Sequence, residues 1–78
     1  MSLMGIIPNV IKEYVDVPDS AITRETDPLR DLQLNSYDLM SVIGRLGSEL
    51  GVEIAERDVR KLVTLGDLDD YLRAKLAR

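Results

Sequence analysis

The sequence predicts an all-α fold, a small four-helix bundle with three main helices, one short helix and a long first loop. Apolar side chains recur at intervals of three and four residues in separate segments of the 78-residue chain, which is the spacing of one helical face. No segment shows the strict apolar and polar alternation of a half-buried strand. A chain of this length forms one domain and buries only about 60% of its surface, so a deep catalytic cleft is not expected.

The first helix is predicted to run from about Pro8 to Val15, because proline suits an early helical position. The segment that follows contains Pro18 and Pro28 and has no sustained apolar period, so it is predicted to be a long loop. Unstructured connections longer than about 12–15 residues are uncommon in compact domains and are usually functional or disordered. The leucines that would anchor this loop favour a functional one.

Two further helices and a short one are predicted in the second half of the chain. The second helix spans Ser36–Leu50, and Gly51 is suited to end it because glycine tolerates the left-handed conformation. A short helical piece is predicted around Glu56–Leu62. The last helix begins after Thr64, which stands three residues before an acid in a variant of the capping box, and runs to about Ala77.

The ends of the chain suggest a simple domain organisation. Residues 1–4 are predicted to be an expression-vector remnant and N-terminal tail, and residues 5–78 to form the domain. No apolar run approaches the roughly 20 residues needed to cross a bilayer. We therefore expect a cytoplasmic monomer without membrane insertion.

The composition excludes several classes of function. The net charge of −4 disfavours nucleic acid as a partner, because binding to phosphate backbones is driven by basic residues. The chain has no cysteine and no histidine, which excludes disulfides, thiolate zinc sites, a thiol nucleophile and the usual general base near neutral pH. Independent enzymatic chemistry is therefore not expected.

The stretch DLQLNSYDLM places Ser36 where the long loop becomes the second helix. A serine in this position is most simply a helix cap, which contributes roughly 1 kcal/mol. Asn35 can cap equally well, however, and Asp38 already complements the positive end of the helix dipole. Ser36 is then available for another role, and a helix N-terminus favours a phosphate group.

These residues resemble those of the acyl carrier proteins and related phosphopantetheine-dependent carriers. The resemblance covers essentially the whole chain. It includes the segments Asp31-Leu32, Asn35-Ser36-Tyr37-Asp38, Gly51-Val52-Glu53-Ile54, Thr64 and Asp70-Tyr71-Leu72. The usual family motif is Asp-Ser-Leu, so Asn35 and Tyr37 depart from it.

The resemblance implies a cofactor and a set of partners. Ser36 would be converted by a phosphopantetheinyl transferase, using coenzyme A, into a phosphodiester that bears a 4′-phosphopantetheine arm. The arm would carry acyl groups as thioesters. Acyl- or aminoacyl-loading enzymes would attach these groups, and acyl-processing enzymes would use them. The protein would then be a carrier rather than an enzyme, and the arm would provide the thiol that the polypeptide lacks.

A partner-binding surface is expected around Ser36. Its predicted members are Asn35, Tyr37, Asp38, Met40, Gly44, Glu53 and Glu56. Gly44 and Gly47 each cost roughly 1 kcal/mol in a helix interior, and they indicate either a shallow docking strip or close packing of another helix. The acidic residues of this region are equally consistent with a solvated face.

The resemblance leaves several functions open. The family docks basic enzyme surfaces through acidic residues on the second helix, but Ser41, Gly47, Ser48 and Arg45 dilute that pattern here. A specialised carrier in lipid, fatty-acid or polyketide-type biosynthesis is therefore favoured over the main fatty-acid carrier. The alternatives are an aminoacyl or peptidyl carrier protein, and an unmodified helical adaptor with the same fold.

Overall fold

The computed structural model describes residues 2–77, and within this part of the chain all regular structure is helical. The elements are α1 (Ile7–Ile11), a 3₁₀ helix (Asp19–Ala21), α2 (Ser36–Leu50), α3 (Glu56–Val59) and α4 (Leu65–Leu76). The predicted all-α bundle with a long first loop is thus confirmed. None of the helices in residues 2–77 is long and apolar enough to cross a membrane.

The bounds of α2 agree with the prediction at both ends, whereas α4 begins where predicted and ends one residue earlier, at Leu76. Gly51 ends α2 in the left-handed conformation, with a φ of 71°. The predicted ends of α1 and α3 are wrong by several residues. After Ile11 and after Val59 the chain continues as turns in which N–H groups bond three residues back, as in Tyr14 N to Ile11 O at 2.9 Å and Leu62 N to Val59 O at 3.0 Å.

The core collects apolar side chains from every α-helix and from the long loop. The buried set comprises Leu3, Ile7, Val10, Ile11, Ile22, Leu32, Leu34, Val42, Ile43, Leu46, Val59, Leu65, Leu68 and Leu72. On α2, Val42, Ile43 and Leu46 are buried, whereas Leu39 and Leu50 are half-buried at the edges of the stripe. Burying an aliphatic side chain of this size contributes roughly 1.5–3 kcal/mol. The loop is therefore part of the core.

Polar contacts tie the long loop to the start of α4. Thr26 is buried, accepts a hydrogen bond from Thr23 N at 2.9 Å and donates one to Ala21 O at 3.0 Å. Its carbonyl accepts from Leu65 N at 2.9 Å. Gly66 N donates to Arg24 O at 2.8 Å, so the first two residues of α4 are both held by loop carbonyls.

Asp69 is the fully buried carboxylate of α4, and it accepts three hydrogen bonds from two other parts of the chain. Its oxygens accept from Arg24 Nη1 at 2.7 Å, from Leu3 N at 2.9 Å and from Ser2 Oγ at 3.1 Å. Arg24 also forms a forked contact with the exposed Asp70, in which Nη2 lies 3.1 Å from each oxygen. A buried charge with this many partners is expensive to leave unpaired.

Residues 2–4 are consequently not separate from the domain. Leu3 is buried in the core beside α1, and its backbone N–H donates to Asp69, so this part of the predicted N-terminal tail packs against the domain. Apolar packing and a buried hydrogen bond hold this segment in place. Met1 of the predicted tail and Arg78 of the predicted domain lie outside the described residues. The origin of residues 1–4 stays a prediction.

The start of α4 carries the predicted capping box. Thr64 Oγ1 accepts from Asp67 N at 3.1 Å, and Asp67 Oδ2 accepts from Thr64 N at 3.1 Å and from Val63 N at 3.0 Å. These backbone N–H groups favour the charged carboxylate and hold the pKa of Asp67 below its usual value. The box fixes the start of α4 at Leu65.

We expect Asp69→Ala to lower the free energy of unfolding by about 2–3 kcal/mol, because it strands a buried N–H group and removes a charge-assisted bond. Asp70→Ala is the matched control, since it removes a carboxylate of the same arginine at an exposed position and should cost less than about 1 kcal/mol. Urea denaturation followed by circular dichroism compares them. Equal losses would contradict the role given to the buried carboxylate.

Candidate functional site

The start of α2 separates the capping residue from the residue beside it. Asn35 has extended backbone angles, and its Oδ1 accepts the hydrogen bond of Asp38 N at 2.8 Å. Ser36 is the first helical residue and is exposed. The sequence allowed either residue to cap the helix, and Asn35 is the one that does. The Ser36 hydroxyl is thereby left at the positive end of the α2 dipole without a capping role.

The loop that leads to Ser36 is held by two buried leucines. Leu32 and Leu34 are each 5% exposed, and Gln33 between them adopts a left-handed φ of 57°. A non-glycine residue in this conformation costs roughly 1–2 kcal/mol. Burial of the two leucines outweighs that cost. Leu34 N also donates to Pro28 O at 3.2 Å, so the chain reaches Asn35 in one fixed direction.

Two aspartates order the turn that precedes these leucines. Asp27 Oδ1 accepts from Leu29 N at 3.0 Å and from Arg30 N at 3.2 Å. Asp31 Oδ2 accepts from Asp27 N at 2.8 Å, and this bond holds the pKa of Asp31 below its usual value. The turn presents Leu29, which is 45% exposed, on the surface beside the start of α2.

Ser36 opens onto a groove bounded by the loop, α2 and α3. The cavity has a volume of about 420 Å³ and is lined by Leu29, Ser36, Tyr37, Leu39, Met40, Glu56, Val59, Arg60 and Leu62. Its walls are mostly apolar, and the two charged residues among them are Glu56 of α3 and Arg60 at the end of that helix. This volume is within the usual range of small-molecule sites.

The groove brings together some of the predicted partner residues and leaves others apart. Tyr37, Met40 and Glu56 line it with Ser36, and Tyr37 is 84% exposed. Two predicted residues, Gly44 and Glu53, are exposed but lie outside it. Asn35 and Asp38 are joined in the cap and do not line the groove either.

Sequence reasoning missed the far wall of the groove. Leu29 comes from the loop, and Val59, Arg60 and Leu62 come from α3 and the turn after it. The apolar spacing of α3 indicated a helix but did not give its position relative to α2. The sequence placed Leu29 after Pro28 in the loop, but only the structure shows that it is exposed.

The two glycines of α2 have different surroundings. A Cβ at Gly47 would lie 3.0 Å from Val52 O and 3.0 Å from Ile54 Cδ1, so this glycine permits close packing of the chain that follows α2. A Cβ at Gly44 would meet no atom within 4 Å. Close packing therefore explains Gly47 but not Gly44.

The negative charge on and beside α2 is partly neutralised by Arg45 of the same helix. Arg45 forms an ion pair with Glu13, which follows α1, and its Nε lies 3.7 Å from Glu49 Oε1 one turn later in α2. The pattern of negative charge expected along this helix is reduced accordingly. Among residues 2–77, no cluster of histidine, cysteine or carboxylate side chains could hold a metal ion.

Residues 6–72 match the family model described as a phosphopantetheine attachment site. The acyl carrier protein of Thermotoga maritima is 33% identical over 70 residues, which cover 90% of this chain and 86% of that protein. The acyl carrier protein of Helicobacter pylori strain G27 is 33% identical over 72 residues, 92% of each chain. This chain belongs to the acyl carrier protein family. The solved acyl carrier protein of Enterococcus faecalis agrees, with a TM-score of 0.79 and 25% identity over 94% of this chain and 92% of that one.

Membership confirms the fold, the cofactor and the class of function that the sequence predicted. Acyl carrier proteins carry a 4′-phosphopantetheine group and are carriers rather than enzymes. The family interacts with phosphopantetheinyl transferases and acyl-processing enzymes.

We expect Gly44→Ala to raise the free energy of unfolding by about 1 kcal/mol, because alanine is the better helix former and the added methyl group meets open space. Gly47→Ala is the matched variant in the same helix. Its methyl group presses on Val52 and Ile54, so its stability should fall below that of Gly44→Ala by at least about 1 kcal/mol. Urea midpoints measure both, and equal stabilisation would contradict the packing role of Gly47.

Proposed function

We propose that Ser36 is the residue that carries the 4′-phosphopantetheine arm. The observation that supports it most directly is the cap made by Asn35. Because Asn35 already satisfies Asp38 N, the exposed hydroxyl of Ser36 can be modified without loss of a helix cap.

The surroundings of Ser36 fit the group that the family carries. A phosphodiester has a negative charge, which the N-terminal end of the 15-residue helix α2 favours. The adjoining groove offers apolar walls and about 420 Å³ beside the hydroxyl. The attached group supplies a terminal thiol that carries acyl groups as thioesters, and the chain has no cysteine of its own to compete with it.

The modification itself is a phosphoryl-type transfer. The Ser36 oxygen forms a bond to the phosphorus on the pantetheine side of coenzyme A, and the pyrophosphate bond to that phosphorus breaks. The adenosine bisphosphate leaves with the electron pair, and the hydroxyl proton passes to a base of the transferase. The contribution of this chain is to hold the hydroxyl exposed and fixed at the end of an ordered loop.

We further propose a specialised acyl carrier for lipid, fatty-acid or polyketide-type biosynthesis in the cytoplasm. Two features support specialisation: the neutral Asn35 beside Ser36, and Arg45, which offsets the charge of Glu13 and Glu49. Partner enzymes would contact Tyr37, Met40 and Glu56 on the groove. The predicted surface residues Asp38, Gly44 and Glu53 would extend that contact along α2 and the segment after it.

Two other functions use the same fold. An aminoacyl or peptidyl carrier would load the same arm with a different cargo, which a panel of acyl and aminoacyl ligases would distinguish. An unmodified helical adaptor would accept no arm at all. The match to a phosphopantetheine attachment model over residues 6–72 favours a modified carrier.

We expect incubation with coenzyme A, magnesium and a broad-specificity transferase to add one phosphopantetheinyl group to the protein, seen by intact mass. Ser36→Ala should gain nothing and keep its helical circular dichroism, because the Asn35 cap remains. Ser41→Ala is the control, since it removes another exposed hydroxyl of α2 and should be modified normally. Loading of Ser36→Ala would refute the assignment.

A second prediction tests the proposed specialisation. Asn35→Asp should speed loading by a fatty-acid-type transferase by roughly ten- to a hundredfold. This factor corresponds to the free energy of one charge-assisted hydrogen bond in the transition state. Aspartate caps helices as well as asparagine does, so the fold is retained. Initial rates are measured at subsaturating carrier and matched ionic strength. Ser41→Asp controls for added charge. Equal rates for Asn35→Asp and the unaltered protein would show that Asn35 does not slow loading and gives no support to specialisation.

A further inference from the structure

The basic residues of α3 differ from the other described basic residues of the chain. Within residues 2–77 most lysines and arginines face a carboxylate or an aromatic ring, namely Lys12, Arg24, Arg30, Arg45, Arg73 and Lys75. Arg57, Arg60 and Lys61 have no carboxylate of residues 2–77 within ion-pair distance, and all three are exposed. Three neighbouring cations on one short helix and its end are thus available to an outside anion.

Arg60 is the one of these three that lines the groove beside Ser36. The position of α3 is fixed from the other side, because Tyr71 Oη donates to Asp58 Oδ2 at 2.8 Å and Val59 is buried at 7% exposure. Arg60 and Ser36 therefore line one cavity whose α3 wall is anchored to α4. Guanidinium groups suit phosphate oxygens because their planar donors match them in pairs.

We propose that Arg60 is the counter-ion of the phosphodiester on Ser36 and holds the pantetheine arm in the groove between α2 and α3. This inference rests on the proposed attachment at Ser36. Ser36 and Arg60 line the same cavity of about 420 Å³, and its apolar lining residues Leu29, Met40 and Leu62 offer a surface for the arm itself. An exposed ion pair is weak, so the arm is held in part and remains available to enzymes.

Glu56 lowers the occupancy of the groove by the arm, whereas Arg60 raises it. It lies one turn before Arg60 on α3 and lines the same groove, so its carboxylate repels the phosphodiester and competes for the guanidinium. The balance between these two residues sets how often the arm occupies the groove. Glu56→Gln should increase the occupancy, and Arg60→Gln should decrease it.

The absence of cysteine gives a direct measurement of arm position. In the modified protein the thiol of the arm is the sole thiol, so a maleimide nitroxide labels the arm alone. Paramagnetic broadening of amide NMR signals then reports where the label lies. Intact mass first confirms that each variant has gained the arm, and circular dichroism confirms that it is folded.

We expect broadening at Leu29, Met40 and Leu62 in the unaltered protein, and Arg60→Gln should reduce the docked population by roughly 1.4- to 5-fold, the range that exposed ion pairs give. Arg57→Gln is the matched control, since it removes a neighbouring exposed cation, within α3, that does not line the groove, and it should leave the broadening unchanged. Salt near 0.5 M should reduce the difference between the two variants.

Equal broadening in the Arg60→Gln and unaltered proteins, or equal loss in both arginine variants, would overturn the pairing with Arg60 while leaving attachment at Ser36 intact. A protein that gains no arm in the mass measurement would overturn the proposed function and this inference with it.

Discussion

The buried carboxylate of Asp69 is the contact on which the geometry of the site depends. It binds Arg24 of the long loop and the backbone of Leu3, and both partners come from parts of the chain far from α4 in sequence. Arg24 and Thr26 in turn receive the first N–H groups of α4. With its first half fixed in this way, the loop places Leu32 and Leu34 in the core and delivers Asn35 to the start of α2. The buried charge thus anchors the first half of the loop, and the buried leucines position its second half beside the site.

The site itself depends on a division of roles between two adjacent residues. Asn35 supplies the oxygen that α2 requires at its start, and Ser36 keeps a hydroxyl that the helix does not need. The same arrangement places the hydroxyl where the helix dipole favours a phosphate. A serine that also capped the helix could be modified only at the expense of stability. Asn35 stands where the family usually has an aspartate, so this chain keeps the cap without the negative charge.

Local signals predicted much of the fold, because helix periodicity, a left-handed Gly51 and the capping box of Thr64 all act within a few residues. For Ser36 the spacing alone favoured a helix cap, and the role of attachment site came from the resemblance to the family and stays a prediction. Long-range contacts were not predictable in the same way. The burial of Leu3 depends on a partner 66 residues away, and the place of Arg60 in the groove depends on how α3 docks against α4. Apolar spacing gives the existence of a helix but not its neighbours.

The most direct test of the central claim is to locate the modification on the protein isolated from cells in its native form. Trypsin cleaves after Arg30 and Arg45, and the resulting peptide contains three hydroxyl groups besides its carboxylates, those of Ser36, Tyr37 and Ser41. Fragment-ion mass spectrometry assigns the phosphopantetheinyl group to one of them. The account predicts that the group is on Ser36 alone. A group on Tyr37 or Ser41, or a peptide that carries none in cells where the transferase is active, would contradict it.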